Sequence, residues 1–446
     1  MSKLYINEDA WCFFADRSPA PWNCPVTVSM DEEGLRRQME YYAVPGVTGI
    51  LFNGNAMRAF FDSSAFEPLW AGMEEGEDGR FCFRGKRIEA RGEGPENLLQ
   101  LCSNAKKLFE NVKDPFRFRR DYCKAHGIEM WISMRMNDIH YADNPDRIMH
   151  TALWREHPEL RRAAYRAAYA FWFAQCFDYG EEAVRRHHMN LVEEYLERFE
   201  MDGFELDWMR SPFFFKPGFA EQGIPLLTDF MREVRKHADA AAKRYGHPVK
   251  IGVRVPARPE ESLQAGLDVF TWAREGLVDM VTPSPYFQSS SSTLPVGIWK
   301  RLLPQEITLT PCLEQHIGGG GEPGGWMRST AEADTGFANS YFHQGADGIY
   351  LFNHMFRDGL ADLEKQRESF TYLGDPEQTA RRPRRHVATP HEGITEGAVN
   401  QSAFHGRLTP GDFTSIRLDT GNGSGGRSAR VLFGYNAEAP APKLEV

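Results

Sequence analysis

The chain has 446 residues, 41% of them hydrophobic and 26% charged, and a formal net charge of −10. This is the balance of a globular protein long enough for one barrel-sized domain and a smaller appendage. The negative charge, with no basic stripe to offset it, excludes nucleic acid and an anionic membrane surface as partners, since both would repel it.

In chain order, eight short apolar runs read as strands: Lys3–Trp11, Gly46–Asn55, Ile128–Asn137, Gly203–Trp208, Val249–Pro256, Val278–Pro283, Ile307–Glu314 and Gly348–Asn353. A helical pattern follows each one: Asp31–Ala43, Glu96–His126, Pro158–Phe199, Leu226–Tyr245, Pro259–Gly276, Pro295–Leu303, Ala331–Gln344 and Gly359–Tyr372. Eight strand-then-helix units in unbroken order predict an α/β fold, a closed (β/α)8 TIM barrel over residues 1–373. The alternative is an open doubly wound sheet, which would want a Gly-rich turn after the first strand, and none is present. Helix starts are expected at Ser29/Asp31 and at Ser329. No internal repeat is visible.

Residues 374–386 read as a linker, and 387–446, rich in Gly, Ser and Thr, as a small β-rich domain, short for a sandwich, with completeness left open. The start "MSKLYINEDAWCFF" has no leader-like apolar core, and no apolar run is long enough for a membrane span. The seven cysteines are scattered without a CxxC and suit reduced thiols, so a cytoplasmic location is expected. The pair of histidines in "RRHHMN" (Arg185–Asn190) is expected on a solvated helix surface.

Strand side chains alternate, so parity decides what faces the barrel interior. In "DGFELDWMRSP" (Asp202–Pro212), Phe204, Leu206 and Trp208 suit the helix side, which turns Gly203, Glu205 and Asp207 inward. The same rule turns Ser133, Arg135 and Asn137 inward on strand three, Gly252 and Arg254 on strand five, and Thr308, Thr310, Cys312 and Glu314 on strand seven. Buried unpaired charges cost several kcal/mol, roughly 3–5 when one partner is removed, so these groups must pair or meet a ligand. Paired carboxylates across a barrel mouth are what glycosidic cleavage needs: one protonates the leaving oxygen, the other attacks or activates water.

The catalytic candidates are therefore Asp207 as general acid/base and Glu314 as nucleophile or general base. Glu205 has two readings, a catalytic neighbour of Asp207 or a structural acid that holds an arginine. Arg135, Asn137, Asp138, His140, Arg210, Arg254, Tyr286, His316 and Asn353 are expected to bind substrate. Trp11, Trp208, Tyr286, Phe213–Phe215 and Trp326 are candidate platforms for sugar rings. The βα-loops 56–95, 139–156, 210–224 and 316–328 are long and lie on the face where barrel sites form. The "GGGGEPGG" run in the last of them lacks the Lys-Ser/Thr of a phosphate loop and suits a mobile lid.

Four segments, "DGFELDWMRSP", "MRMND", "REGLVDMVTPSP" and "ADGIYLFN", together resemble the family-10-like glycosyl hydrolases and related bacterial barrels over Lys3–Tyr372. The resemblance implies a TIM barrel, a carbohydrate substrate and an essential acid on strand four, which falls on Asp207. The same stretch resembles the chitinase motif DGxDxDWE, but Glu205 replaces its central Asp and Met209 stands where its catalytic Glu would be. Hydrolysis of that kind is not expected. No cofactor or metal is called for, and nothing in the sequence sets an oligomeric state. An anionic sugar substituent is one use for the three arginines. Two other functions remain open: a metal-assisted lyase or isomerase using Asp138, His140 and the strand-four acids, and a non-catalytic carbohydrate-binding barrel.

Overall fold

A computed structural model describes residues 3–14, 29–76, 81–87, 95–163, 171–285, 290–318, 326–354, 363–388 and 419–421. Eight parallel strands form the barrel: β1 (Leu4–Glu8), β2 (Gly49–Asn53), β3 (Glu129–Arg135), β4 (Gly203–Asp207), β5 (Lys250–Pro256), β6 (Met280–Ser284), β7 in two pieces (Thr308–Leu309 and Cys312–Glu314) and β8 (Ile349–Phe352). Strands β1 to β6 pair in sequence, and β8 returns to β1. Pro311 splits β7, because it has no N–H to give the ladder. The first piece of β7 is in register with β6 and the second with β8, so the ring closes through the two residues between them.

Parity on the strands is as the alternation requires. Tyr5, Leu51, Trp131, Met280, Cys312, Tyr350 and Phe352 form a separate apolar plug inside the ring. Ile132, Met134, Phe204, Leu206, Ile251, Val253, Leu309 and Leu313 pack outward into the layer shared with the helices. Gly203 makes the plug possible, since a Cβ there would sit 2.3 Å from the Trp131 ring.

At the N-terminal rim one latch recurs before every even strand. Leu4 N–H donates to Thr48 Oγ1 (3.0 Å), and Met130, Ile251 and Leu309 N–H donate to the Oδ2 atoms of Asp202, Asp279 and Asp347 at 2.8, 2.7 and 2.9 Å. Arg120, Arg235 and Lys300 balance the three aspartates. Each latch pins the start of one strand to the approach of the next, a repetition that no sequence repeat announces.

Several helical segments are shorter than their patterns suggested, while the fourth is longer, Ala220–Tyr245 in place of Leu226–Tyr245. Glu96–His126 is two helices, Pro95–Asn111 and Pro115–Ala125, because Asp114 caps the second and Pro115 opens it. Pro158–Phe199 contains Pro158–Leu160, Phe171–Ala174 and Glu182–Arg198 among its described residues. Asp31 caps Glu32–Tyr42 as expected, whereas Thr330 rather than Ser329 caps Ala331–His343. Residues 56–95 carry a small antiparallel sheet, and 316–328 carry a hairpin of His316–Gly318 with Trp326–Arg328. The run expected as a linker includes a helix, Pro376–Arg381, capped by Asp375; of 387–446 only 387, 388 and 419–421 are among the described residues.

His187 and His188 are not on a solvated surface. His187 stacks on Phe66 with ring centroids 4.0 Å apart, and buried His188 bonds the Val184 carbonyl. Their helix faces the loop after β2, which Glu194 ties down through Ser63 Oγ, Ser64 N–H and Ala65 N–H at 2.5, 2.9 and 3.1 Å. No helix among the described residues is long and apolar enough to cross a membrane.

Candidate active site

Register brings the site together. Arg135, Asp207 and Arg254 are cross-strand partners on β3, β4 and β5, and parity turns all three into the barrel at its C-terminal end. Asp207 accepts from Arg254 Nε at Oδ1 and from Nη2 at Oδ2, both at 3.0 Å, and Oδ1 also accepts from Met209 N–H at 2.9 Å. A bidentate guanidinium pair is the geometry of an ionised carboxylate. Burial opposes charge on Arg254, but Asp207 more than offsets it and raises the guanidinium's affinity for its proton. Arg254 also donates to Ser284 Oγ at 2.8 Å and lies over the Phe352 ring at 3.7 Å.

Glu314 ends β7 and is 3% exposed. Asn353, at the end of β8, donates from Nδ2 to Glu314 Oε2 at 2.9 Å, and Ser290 Oγ accepts from the Glu314 N–H at 2.7 Å. Burial pushes the Glu314 carboxyl up to about 7, against the pull of Arg254, Asn353, Arg210 and His354. It is thus a buried acid that holds its proton near neutrality.

Glu205 sits one inward position deeper on β4 and is fully enclosed. Its Oε1 accepts from Ser133 Oγ (2.7 Å) and Tyr350 OH (2.8 Å), while Oε2 has no hydrogen-bond partner. Burial, then the charge of Asp207, push it up to about 7. A group raised in this way costs the fold more as pH rises through its folded pKa. Glu205→Gln is therefore expected to gain about 2–3 kcal/mol on the unmodified protein between about pH 5 and pH 8. Melting curves at the two pH values check this; an unchanged gap would place the ionisation elsewhere.

A second network crosses the mouth. Arg135 donates to Asp9 Oδ2 (2.6 Å) and Asp138 Oδ2 (3.2 Å). His140 Nδ1 lies 2.8 Å from Asp138 Oδ1, and Arg210 Nη2 lies 2.8 Å from His140 Nε2. Because Arg210 can only donate, Nε2 is the acceptor and Nδ1–H points to Asp138. Burial alone would raise Asp138, but His140, Arg135 and Arg210 hold it well below the usual carboxylate range. Asp9, Asp138 and Asp207 thus match Arg135, Arg210 and Arg254 one for one.

Several expected ligands are placed otherwise. Trp208 is wholly buried on the helix side, against Tyr179, Phe214 and Trp272, so it offers no platform. Phe213, Phe214 and Phe215 are buried as well, and Phe215 fills the space a Cβ at Gly223 would need. Asn137 spends its amide on backbone, donating to the Phe177 and Phe213 carbonyls and accepting from Phe177 N–H. Trp11 lies in a short helix packed on Phe60, and buried His316 opens the hairpin, where its carbonyl accepts from Ser290 N–H. Tyr286 and the Trp326 side chain lie outside the described residues.

The sequence reading passed over Asp9, Ser290, Asp334 and His354. Parity could have found Asp9, since Tyr5 faces the plug and two steps of two reach residue 9. A surface groove of about 660 Å3 between residues 62–65 and the helix Glu182–Arg198 shares no residue with this mouth.

No family model and no curated protein matches the chain. Solved structures with a similar backbone include the catalytic domain of psychrophilic chitinase B from Arthrobacter TAD20, at 11% identity, covering 87% of this chain and 97% of that one, with a TM-score of 0.46. A glycoside hydrolase family 18 N-acetylglucosaminidase from Paenibacillus barengoltzii matches at 10% identity, 84% and 100% coverage and a TM-score of 0.42. A noncanonic maltogenic alpha-amylase from Thermotoga neapolitana matches at 11% identity, 83% and 76% coverage and a TM-score of 0.41. At these scores the chemistry has to be read from this chain's own side chains.

Proposed function

We propose that the chain is a glycoside hydrolase cleaving an O-glycosidic bond in an oligosaccharide or polysaccharide-derived glycoside. One observation carries the reading. A buried acid that keeps its proton near neutrality, Glu314 on β7, shares the barrel's C-terminal end with a carboxylate that Arg254 grips at both oxygens, Asp207 on β4. Two carboxyls in such different surroundings, one buried beside an amide and one paired with a guanidinium, suit the acid and base that glycoside hydrolysis requires. The likeness of the four sequence segments to family-10-like glycosyl hydrolases runs in the same direction.

The roles are the reverse of those expected from sequence. Glu314 gives its proton to the leaving oxygen. Asp207 Oδ1 already accepts two hydrogen bonds, but Oδ2 accepts one and keeps a lone pair for the proton of the attacking water. Glu205, one layer down and closed off, supports Asp207 rather than touching substrate. His140 has both ring nitrogens engaged and a guanidinium beside it, which disfavours the metal-assisted alternative. Among the described residues, Arg135, Arg210 and Arg254 are each matched by an aspartate, which favours a neutral sugar over a uronate or sulfate.

The test is hydrolysis of aryl glycosides, a set of neutral hexosides and hexosaminides beside the matching uronides. Release of aryl alcohol from neutral members, falling as pH rises above about 7, is the expected result. Turnover of uronides alone would overturn the charge argument, and turnover of none with sugar binding intact would leave a binding barrel.

A further inference from the structure

Behind Glu314 lies a buried chain of polar groups that neither acid needs for packing. Ser329 Oγ donates to Asp334 Oδ1, and Asp334 Oδ2 lies 3.3 Å from His354 Nε2. The other ring nitrogen of His354, Nδ1, lies 3.0 Å from the Phe352 carbonyl. Asp334 is 4% exposed and His354 1%. Each ring nitrogen of His354 thus has an oxygen within reach, the Phe352 carbonyl on one side and the Asp334 carboxyl on the other.

This pair grips the turn that leaves β8. Asn353, between Phe352 and His354, has φ +63°, in the left-handed region where a residue other than Gly is strained. That conformation aims Nδ2 at Glu314 Oε2. With Oε2 occupied as an acceptor, the proton of the neutral acid sits on Oε1.

We propose that Asp334 and His354 are positioning residues for Glu314: they lock the Phe352–His354 turn so that Asn353 marks Oε2, leaving Oε1 as the oxygen that delivers the proton. The inference rests on Glu314 as the proton donor. His354 also pulls the Glu314 carboxyl down from the β8 side, beside Arg254 from β5 and Arg210 from the loop after β4; Cys312 on its own strand is a further titratable neighbour. Losing either member of the pair frees the turn and loosens the Asn353 hydrogen bond, which raises the affinity of Glu314 for its proton.

The test separates this from the glycosidase reading by observing Glu314 itself. Full-length protein with isotope-labelled glutamate carboxyls is titrated by NMR, and the Glu314 signal is identified by its loss in Glu314→Gln. In His354→Gln and Asp334→Asn the Glu314 midpoint should move up by roughly half to one pH unit. Asn353→Gly keeps a residue suited to the left-handed φ and deletes the hydrogen bond, so it should fold while moving the midpoint the same way. A purely structural pair would lower the melting temperature and leave the midpoint in place, which would overturn the proposal. Should the two polar variants fail to fold, an unmoved midpoint in Asn353→Gly is enough to overturn it. Absence of aryl glycoside turnover in the unmodified protein bears on the activity and not on this titration.

Discussion

Glu314→Gln is expected to lower turnover of an alkyl glycoside by about a hundred- to ten-thousand-fold, the range for removing a general acid. The size should depend on the leaving group. An alkoxide needs a proton as the bond breaks, whereas a nitrophenolate leaves nearly unaided, so the loss on nitrophenyl glycosides should be far smaller. The pH profile gives a second signature. Burial pushes Glu314 up to about 7, so the basic limb of kcat/KM should lie near there and vanish in the variant. Equal losses on both leaving groups would return Glu314 to the role of nucleophile.

Asp207→Ala is expected to cost stability as well as activity, by about 3–5 kcal/mol, because Arg254 is then left buried with its charge unmatched. Asp207→Asn keeps the shape but turns an amide N–H2 toward guanidinium donors, so a loss of roughly 2–3 kcal/mol is expected even there. The bidentate pair is what ties this substitution to folding as well as to turnover. Adding Arg254→Gln to Asp207→Asn should recover part of the loss, a coupling of about 1–3 kcal/mol between neighbours in one ion pair. Chemical unfolding of the two single variants and the double variant measures it. Additive losses would mean that the pair is not the partner each side chain relies on.

Much of the fold was legible because strand side chains alternate. Once Phe204, Leu206, Ile251 and Val253 were turned toward the helices, Asp207 and Arg254 had to meet across neighbouring strands, and register makes them partners. Asp9 escaped only because the rule was not carried to strand one. Other features had no such signal. Asn137 lies inward as parity demands, yet its use is decided by two distant carbonyls that no local pattern reveals. Trp208 resembles a rim aromatic by composition, but it belongs to the outward set. His187 and His188 are polar by type, yet His188 is buried and His187 half-buried, since the loop after β2 folds over their helix. The role of Asp334 depends on a contact with His354 across 20 positions.

The break in β7 bears on stereochemical outcome. With its two pieces registered to opposite neighbours, that strand works as a clasp in an otherwise continuous hoop. Glu314 rides on the side of the clasp that moves with β8 and β1, whereas Asp207 and Arg254 ride with β4 to β6. A slight widening at Thr310–Pro311 therefore acts directly on the gap between the two carboxyls. The gap distinguishes a retaining path, near ~5 Å, from an inverting one at ~6.5–9.5 Å. The base role proposed for Asp207 belongs to the wider gap, so the hoop's circumference at this proline decides whether a water fits between the two carboxyls.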